Sequence, residues 1–426
     1  MNKPPGYPGR SWPAVTAAAL ILACLPTGYP GGRPGASQQT QPLQYDVRVV
    51  NIEVPVRVFD GDSFVEDLTI DDFEVLENGV PQRLQAIYLV KKSAVERREE
   101  KTPFAPKTDR HFFLFFQIYT WNPKMAEAVR YFIASVLRPG DDLTVVTSVR
   151  PYHLKKEWIE KSSKDEITRQ LVGLVKRDTL VGNAEYRSLL EELGRMLTGG
   201  GFNMAAGTAQ PDLAAYGEGT WMEFLASYRD VRERLEKIRS LDGDRLLSFA
   251  EYLKKLDGQK NVLLIYQKEY MPMVDRKRYI GRFESGGEDM LVEQNFKDLF
   301  DLYKRDVKID ADRIKKTFSD ASIAIHFMFL TGAPEPAPGS GEAFMEEHSE
   351  DIYSPFLEMA KATGGVAQNS SNPAFMMRKA GEASENYYLL YYKPENPAAD
   401  GKFREIEIRV KNQSYRVLHR AGYFAK

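Results

Sequence analysis

From Ile52 onward, apolar and polar residues alternate. Ile52, Val54, Val56 and Val58 are interleaved with Glu53, Pro55 and Arg57, the two-residue period of a half-buried strand. Val47 and Val49 keep the opposite parity, which predicts a bulge near Val49–Val50. Pro55 has no N–H to give a ladder and predicts an edge. Further on, Asn78-Gly79 separates two strand-like runs in "DLTIDDFEVLENGVPQRLQAIYLV", a type I′ hairpin signal. Residues 44–92 thus read as an N-terminal β unit. Residues 93–110, dense in charge and carrying Pro103 and Pro106, read as a linker.

The pattern then changes to apolar strands separated by amphipathic helices. Strand His111–Gln117 leads to helix Lys124–Leu137, and the turn "RPGDD" leads to strand Leu143–Val149. Helices are expected around Lys164–Lys176 and from Glu185. Helix Arg245–Leu256 precedes strand Asn261–Tyr266, and helix Asp298–Phe318 precedes strand Ser322–Phe329. Helix Tyr353–Thr363 ends at Gly364-Gly365, a C-cap signal. This alternation predicts an α/β region over residues 111–384, with a mostly parallel sheet and helices on both faces. Residues 195–245 form a helical insertion: a Gly/Ala-rich stretch and the charged helix "FLASYRDVRERLEKIRSL". Its triple glycine lacks the Gly-Lys-Ser/Thr of a phosphate loop. Residues 385–424 return to strands without intervening helices. They are expected to pair with the N-terminal β unit, making one small β domain split by the inserted α/β domain.

Five phrases, in order, carry a family resemblance: "LTIDDFEVLENGVPQRL", "LRPGDDLTVVTSV", "EYLKKLDGQKNVLLIY", "MAKATGG" and "YYLLYYKPENPAADGKFREIEIRVK". Over residues 44–424 the chain resembles bacterial, acidobacterial-type VWFA-related proteins, which carry a von Willebrand factor type A (VWA) domain. The resemblance implies a Rossmann-like VWA domain flanked by β structure, outside the cytoplasm. It does not assign a function, because fold alone licenses only analogy.

Metal-binding VWA domains hold Mg²⁺ or Mn²⁺ with Asp-x-Ser-x-Ser after the first strand, a Thr from a second loop and an Asp after a later strand. A hard divalent cation needs such oxygen donors, including a carboxylate. The matching positions here are Gln117, Tyr119 and Trp121. "VGNAEY", similar to the family's "GGTALY", places Asn183 in the second loop, and Gln267 stands at the late Asp. Glu185 and Glu269 are offset from the motif and expected to face solvent. The resemblance therefore implies a degenerate site with no metal and no cofactor. Gln117, Tyr119, Trp121, Asn183, Gln267 and Tyr270 would form a candidate docking surface for a protein partner, with Tyr266, Met271 and Met273 nearby. The alternative is that the rings only fill the volume of a lost ion.

Composition narrows the remaining classes. The chain has 426 residues, 43% hydrophobic and 28% charged, with a formal net charge of −2, so no basic excess points to nucleic acid. Residues 1–25 read as a signal peptide, with Lys3 and Arg10 ahead of the apolar run Ala14–Leu25, which is too short to span a bilayer. A Pro/Gly/Gln-rich leader follows over residues 26–43. Cys24, the single cysteine, sits in "ILAC", similar to a lipobox. The expected location is extracytoplasmic: periplasmic, secreted, or anchored to the membrane by lipid on Cys24. The five histidines, His111, His153, His326, His348 and His419, show no H-x-x-x-H spacing, and no G-x-S-x-G elbow occurs. Asp71-Asp72 and Asp141-Asp142 fall in turns, where Asp bonds local backbone. The sequence thus favours a non-catalytic interaction module. Metal-dependent binding through Asn183, Gln117 and Glu269, an extracytoplasmic hydrolase, and a structural spacer are the alternatives.

Overall fold

The computed structural model describes residues 51–199, 218–239, 242–273, 310–332, 344–395 and 397–425. The signal peptide, the leader, the bulge near Val49–Val50 and Cys24 lie outside the described residues.

The first strands follow the period-2 pattern. Strand β1 (Ile52–Asp60) buries Ile52, Val54, Val56 and Val58. It is followed by β2 (Ser63–Phe64), β3 (Phe73–Glu77), β4 (Val80–Gln82), β5 (Leu84–Lys91) and β6 (Ala94–Glu100). Asn78 and Gly79 take φ of 49° and 78°, both left-handed, as a type I′ turn demands. The expected linker at 93–110 is corrected in its first part. Ala94–Glu100 pairs antiparallel with β5 and forms an edge strand whose alternate residues are exposed. Its glutamates and arginines are the charges that keep an open edge from pairing with other chains, and that density imitates a linker in sequence.

Next come β7 (Arg110–Gln117), α1 (Met125–Tyr131, continued by a π-type turn over Phe132–Val136), β8 (Asp142–Val146) and β9 (Pro151–Leu154). Helices α2 (Lys156–Lys161), α3 (Lys164–Gly182), α4 (Ala184–Gly199), α5 (Glu218–Arg239) and α6 (Gly243–Lys254) precede β10 (Gln259–Gln267) and β11 (Tyr270–Met273). Then follow α7 (Ala311–Asp320), β12 (Ile323–Leu330), β13 (Phe344–Glu347), α8 (Glu350–Ala362), β14 (Ala367–Ser370) and α9 (Pro373–Glu385). The chain closes with β15 (Asn386–Tyr392), β16 (Phe403–Val410), β17 (Arg416–His419) and β18 (Gly422–Phe424).

The expected fold class, a Rossmann-like α/β domain on a mostly parallel sheet with helices on both faces, inserted into a small β domain, is overturned. Among the described residues only four strand pairings are parallel, all within the sheet β14-β12-β10-β7-β8-β9. The other ten pairings are antiparallel. They build the sheets β17-β1-β15-β5-β6, β18-β16-β3-β4 and β11-β13, so the content is mixed, mostly antiparallel, with a curled half-barrel. The physical reason is chain connectivity. Strands β1–β2, β3–β4 and β5–β6 are successive hairpins, which must be antiparallel, and β15, β16 and β17 return from the far end of the chain to lie antiparallel beside β1, β5 and β3 with no crossover helix among them.

Strand β15 lies between β1 and β5, and β16 lies beside β3. At Pro55 only β15 flanks β1, because β17 begins its pairing at Val56, so the proline meets an open side. Three larger apolar clusters result. One joins β1, β3, β5, β15 and β16. In β7, Phe112, Leu114 and Phe116 pack with α1, α3 and α9, while Phe113 packs with α6, α7 and α8.

Candidate functional site

The parallel register of β7 and β10 sets Gln117 beside Tyr266, so both strands end on one rim. The chain leaves β7 through Ile118–Trp121 and turns into α1 at Asn122, whose Oδ1 accepts from Lys124 N at 2.9 Å. Two side-chain amides hold this loop. Gln267 Oε1 accepts from the backbone N–H groups of Tyr119 and Thr120, each at 3.0 Å, and Gln267 Nε2 donates to Thr120 Oγ1 at 2.6 Å. From the other side, Asn183 at the end of α3 directs Nδ2 to Ile118 O (3.0 Å), Thr179 O (2.8 Å) and Ser148 Oγ (3.2 Å). Gly182 allows this approach: a Cβ there would lie 2.3 Å from Ser148 Oγ.

The aromatic residues divide their roles. Tyr119 is half-buried, donates its hydroxyl to Lys268 O at 3.0 Å and meets Tyr186 edge to face at 5.4 Å. Trp121 is half-buried and packs against the core that contains Phe112 and Met125. The Gln117 side chain is partly exposed. Tyr270 donates to Gly332 O at 2.9 Å, and Lys268 Nζ lies 5.5 Å from its ring centre. Tyr266 and Met271 are buried, with Tyr266 stacked on Phe329. Thus Gln117, Tyr119, Trp121, Asn183 and Gln267 gather around one loop, while Tyr270 stands on the neighbouring β11.

The expectation that Glu269 faces solvent is corrected: it is fully buried. Its Oε1 accepts from Arg239 Nε at 2.7 Å, lies 2.6 Å from Arg239 Nη2, and also accepts from the Tyr266 hydroxyl. A buried carboxylate needs such partners to stay charged. The Arg239 guanidinium lies over three rings, 5.3 Å from the centres of Tyr186 and Tyr266 and 6.0 Å from Tyr119. Burial works against its charge, yet Glu269 holds it protonated above the ordinary arginine range. Burial also pushes the Tyr186 phenol well above its usual value, with Glu269 adding to the effect, so it stays neutral. Glu185, in contrast, is exposed.

Sequence reasoning missed Arg239, Glu269 and Tyr186 as partners. The available signal was the spacing of Arg232 and Arg239, two helical turns apart on one face of α5. The same face carries Tyr228, Val231 and Leu235, all buried, so the apolar stripe of α5 was the signal that its two arginines turn inward.

The other acids and histidines serve local structure. Asp72 Oδ2 accepts from Thr69 N (2.8 Å) and Oγ1 (2.7 Å), and these bonds hold its carboxyl below the usual range. Asp141 is paired with Arg110 through two bonds of 3.0 and 2.6 Å. Asp142 meets His111 Nδ1 at 3.6 Å and His153 Nδ1 at 3.4 Å through different oxygens. Among the described residues no group of three or more His, Cys, Asp or Glu is placed to share a metal ion. No family profile, characterised protein or solved structure matches the chain.

Proposed function

We propose that the protein is an exported, non-catalytic protein-interaction module, and that the rim loop with Gln117, Tyr119 and Trp121 is its docking surface. The observation that carries this reading is the pair of amides. Gln267 and Asn183 hold the loop by four of its own groups, the N–H groups of Tyr119 and Thr120, the Thr120 hydroxyl and the Ile118 carbonyl. A loop fixed in this way is organised before any partner arrives, which lowers the ordering cost of binding. Half-exposed tyrosine and tryptophan are the side chains most enriched among binding hot spots. Exposed apolar residues flank the loop's supports: Val149 next to Ser148 at 47% exposure, and Val181 next to Gly182 at 63%.

Metal-dependent binding through Gln117, Asn183 and Glu269 has less support, because Glu269 is engaged by Arg239 and the Asn183 amide nitrogen faces backbone carbonyls. Hydrolysis has less support: among the described residues Asp142 and Thr144 both meet His153 at the same Nδ1, so they form no acid–base–nucleophile relay. Export rests on the N-terminal pattern, as does lipidation of Cys24; among the described residues no helix is long and apolar enough to cross a membrane. The VWFA-related resemblance supports an extracytoplasmic binding role without naming a partner.

A photo-reactive residue placed at Gln117 tests the docking surface in the native envelope. The expected result is a discrete cross-linked adduct that persists in EDTA and is at least about tenfold weaker when Trp121→Ala is added, as a hot-spot loss of 1.4 kcal/mol or more requires. The same probe at Val80, exposed in the β3–β4 hairpin, should give none. Equal adducts at both positions, or an adduct abolished by EDTA, overturns the proposal.

A further inference from the structure

Helix α5 reaches the rim with two arginines on one face. Arg232 is fully buried, its Nη1 3.1 Å from Met271 Sδ and 3.0 Å from Met273 Sδ. Seven residues on, Arg239 enters the enclosure of three tyrosines and one carboxylate already described. Its walls come from four different parts of the chain: Tyr119 from the loop after β7, Tyr186 from α4, Tyr266 from β10 and Glu269 from the turn before β11. Every wall has the chemistry of cation recognition. Ring faces present negative charge to a cation, and a carboxylate accepts two N–H groups from the edge of a planar guanidinium.

The enclosure also holds its own shape from outside. The Tyr119 hydroxyl is fixed by Lys268 O, and Glu269 N donates to Ser349 Oγ at 3.3 Å. The Tyr186 hydroxyl is buried without a hydrogen-bond partner. A packed apolar contact would not require a buried carboxylate, three tyrosines and a phenol left unpaired; a binding site for a cation accounts for the first two and tolerates the third.

We infer that Tyr119, Tyr186, Tyr266 and Glu269 form a guanidinium-binding cage that α5 fills in cis with Arg239, so that α5 is latched to the rim as a ligand is held in a site. The ligand class is a planar guanidinium: an arginine side chain or a small alkylguanidinium. The cage shares Tyr119 with the proposed docking loop, yet the inference stands on contacts within the chain and does not depend on a partner. Its failure would leave the cross-linking result unchanged, and the converse also holds.

Chemical rescue tests it. The full chain carrying Arg239→Ala is melted with increasing ethylguanidinium chloride, beside wild type, the double variant Arg239→Ala/Glu269→Gln, and ethylammonium as the non-planar cation. The expected result is a lowered Tm in Arg239→Ala that rises saturably with ethylguanidinium, half-saturating on the order of 1–10 mM for so small a ligand. Wild type, whose cage is filled, and the double variant, whose carboxylate is gone, should show no saturable rise, and ethylammonium should rescue less. If Arg239→Ala does not fold alone, recovery of soluble protein on refolding with and without 20 mM (about twice the upper half-saturation value) ethylguanidinium reads the same site. No rescue by either readout, or equal rescue in the double variant, overturns the inference.

Discussion

His326 offers a perturbation whose size and sign can be worked from its contacts. It is fully buried in β12. Its Nδ1 accepts from Val366 N at 3.4 Å, and its Nε2 lies 3.4 Å from Asn261 Oδ1. The bond from Val366 assigns the proton to Nε2, so the ring is neutral and both nitrogens are satisfied. A second proton on Nδ1 would point at the Val366 N–H, in a fully buried site near the Arg57 cation. Burial first, and Arg57 second, lower the His326 pKa to about 3 from an ordinary 6.5.

A base whose folded pKa is depressed keeps its full contribution above the unfolded value and loses it as pH falls. Between pH 6.5 and about 3 the unfolded chain binds a proton that the folded chain refuses. Stability then falls by about 1.4 kcal/mol per pH unit, or roughly 2.7 kcal/mol by two units below the ordinary value. Other groups titrate in the same range, among them His419, whose pKa burial also lowers. The comparison must therefore be with His326→Gln, which can donate and accept but cannot titrate. Urea unfolding of both proteins at pH 7.0, 5.5 and 4.5, round values spanning the window about the ordinary histidine pKa, should show the wild-type free energy falling faster by about one proton's slope. Parallel curves, or an imidazole resonance of His326 titrating near its ordinary value, would refute the reasoning.

Two further predictions concern packing and charge. A Cβ on Gly365 would lie 1.9 Å from Ile325 O in β12, so Gly365→Ala should cost about 3 kcal/mol or more in urea unfolding, whereas Gly173→Ala, exposed in α3 with open space around it, should stabilise by roughly 0.5–1 kcal/mol; equal effects would contradict the geometry. Arg110→Met leaves the buried Asp141 carboxylate without its bidentate partner and should cost about 3–5 kcal/mol, with Arg110→Met/Asp141→Leu recovering most of it; a double variant no better than the single would count against the pair.

Local signals were legible wherever one residue decides the backbone. Gly364, expected as a C-cap, takes φ of +70° at the end of α8, as Asn78 and Gly79 do at their hairpin. The apolar run Val262–Tyr266 of β10 and that of β12, broken only by His326, announce strands buried on both sides. What escaped was decided by neighbours distant in sequence. Lys92 and Ser93 make a left-handed turn without glycine, at φ of 50° and 72°, because β5 and β6 close on each other there. Arg57 reads as the solvent face of β1, yet it is buried and bonded to Ala383 O and Gly364 O, carbonyls some 300 residues away. Glu269 and Arg239 fail for the same reason: each is polar by pattern and buried only because the other is present. At the rim, Gln117, Asn183 and Gln267 could be singled out from the sequence, but not that two of these amides face the loop backbone. Donor direction depends on where a side chain points, and no periodicity encodes that.

The choice of amides at this rim has a physical consequence. A cation holding a loop needs charged ligands, and those ligands repel one another when the ion leaves. Glutamine and asparagine hold the same kind of loop with neutral bonds worth about 0.5–1.5 kcal/mol each, and both donate and accept. Two rim charges near the loop are paired with residues of their own chain, Arg239 with Glu269 and Lys268 with Glu347 at 2.5 Å. The loop itself, residues 117–122, presents rings, a hydroxyl and amides and carries no formal charge. Were this rim the proposed docking surface, its recognition would rest on shape and apolar contact more than on long-range attraction, and its association would depend little on salt. Salt dependence of partner capture is thus the property that separates this rim from one organised by an ion: weak here, steep if fixed charge were steering the encounter.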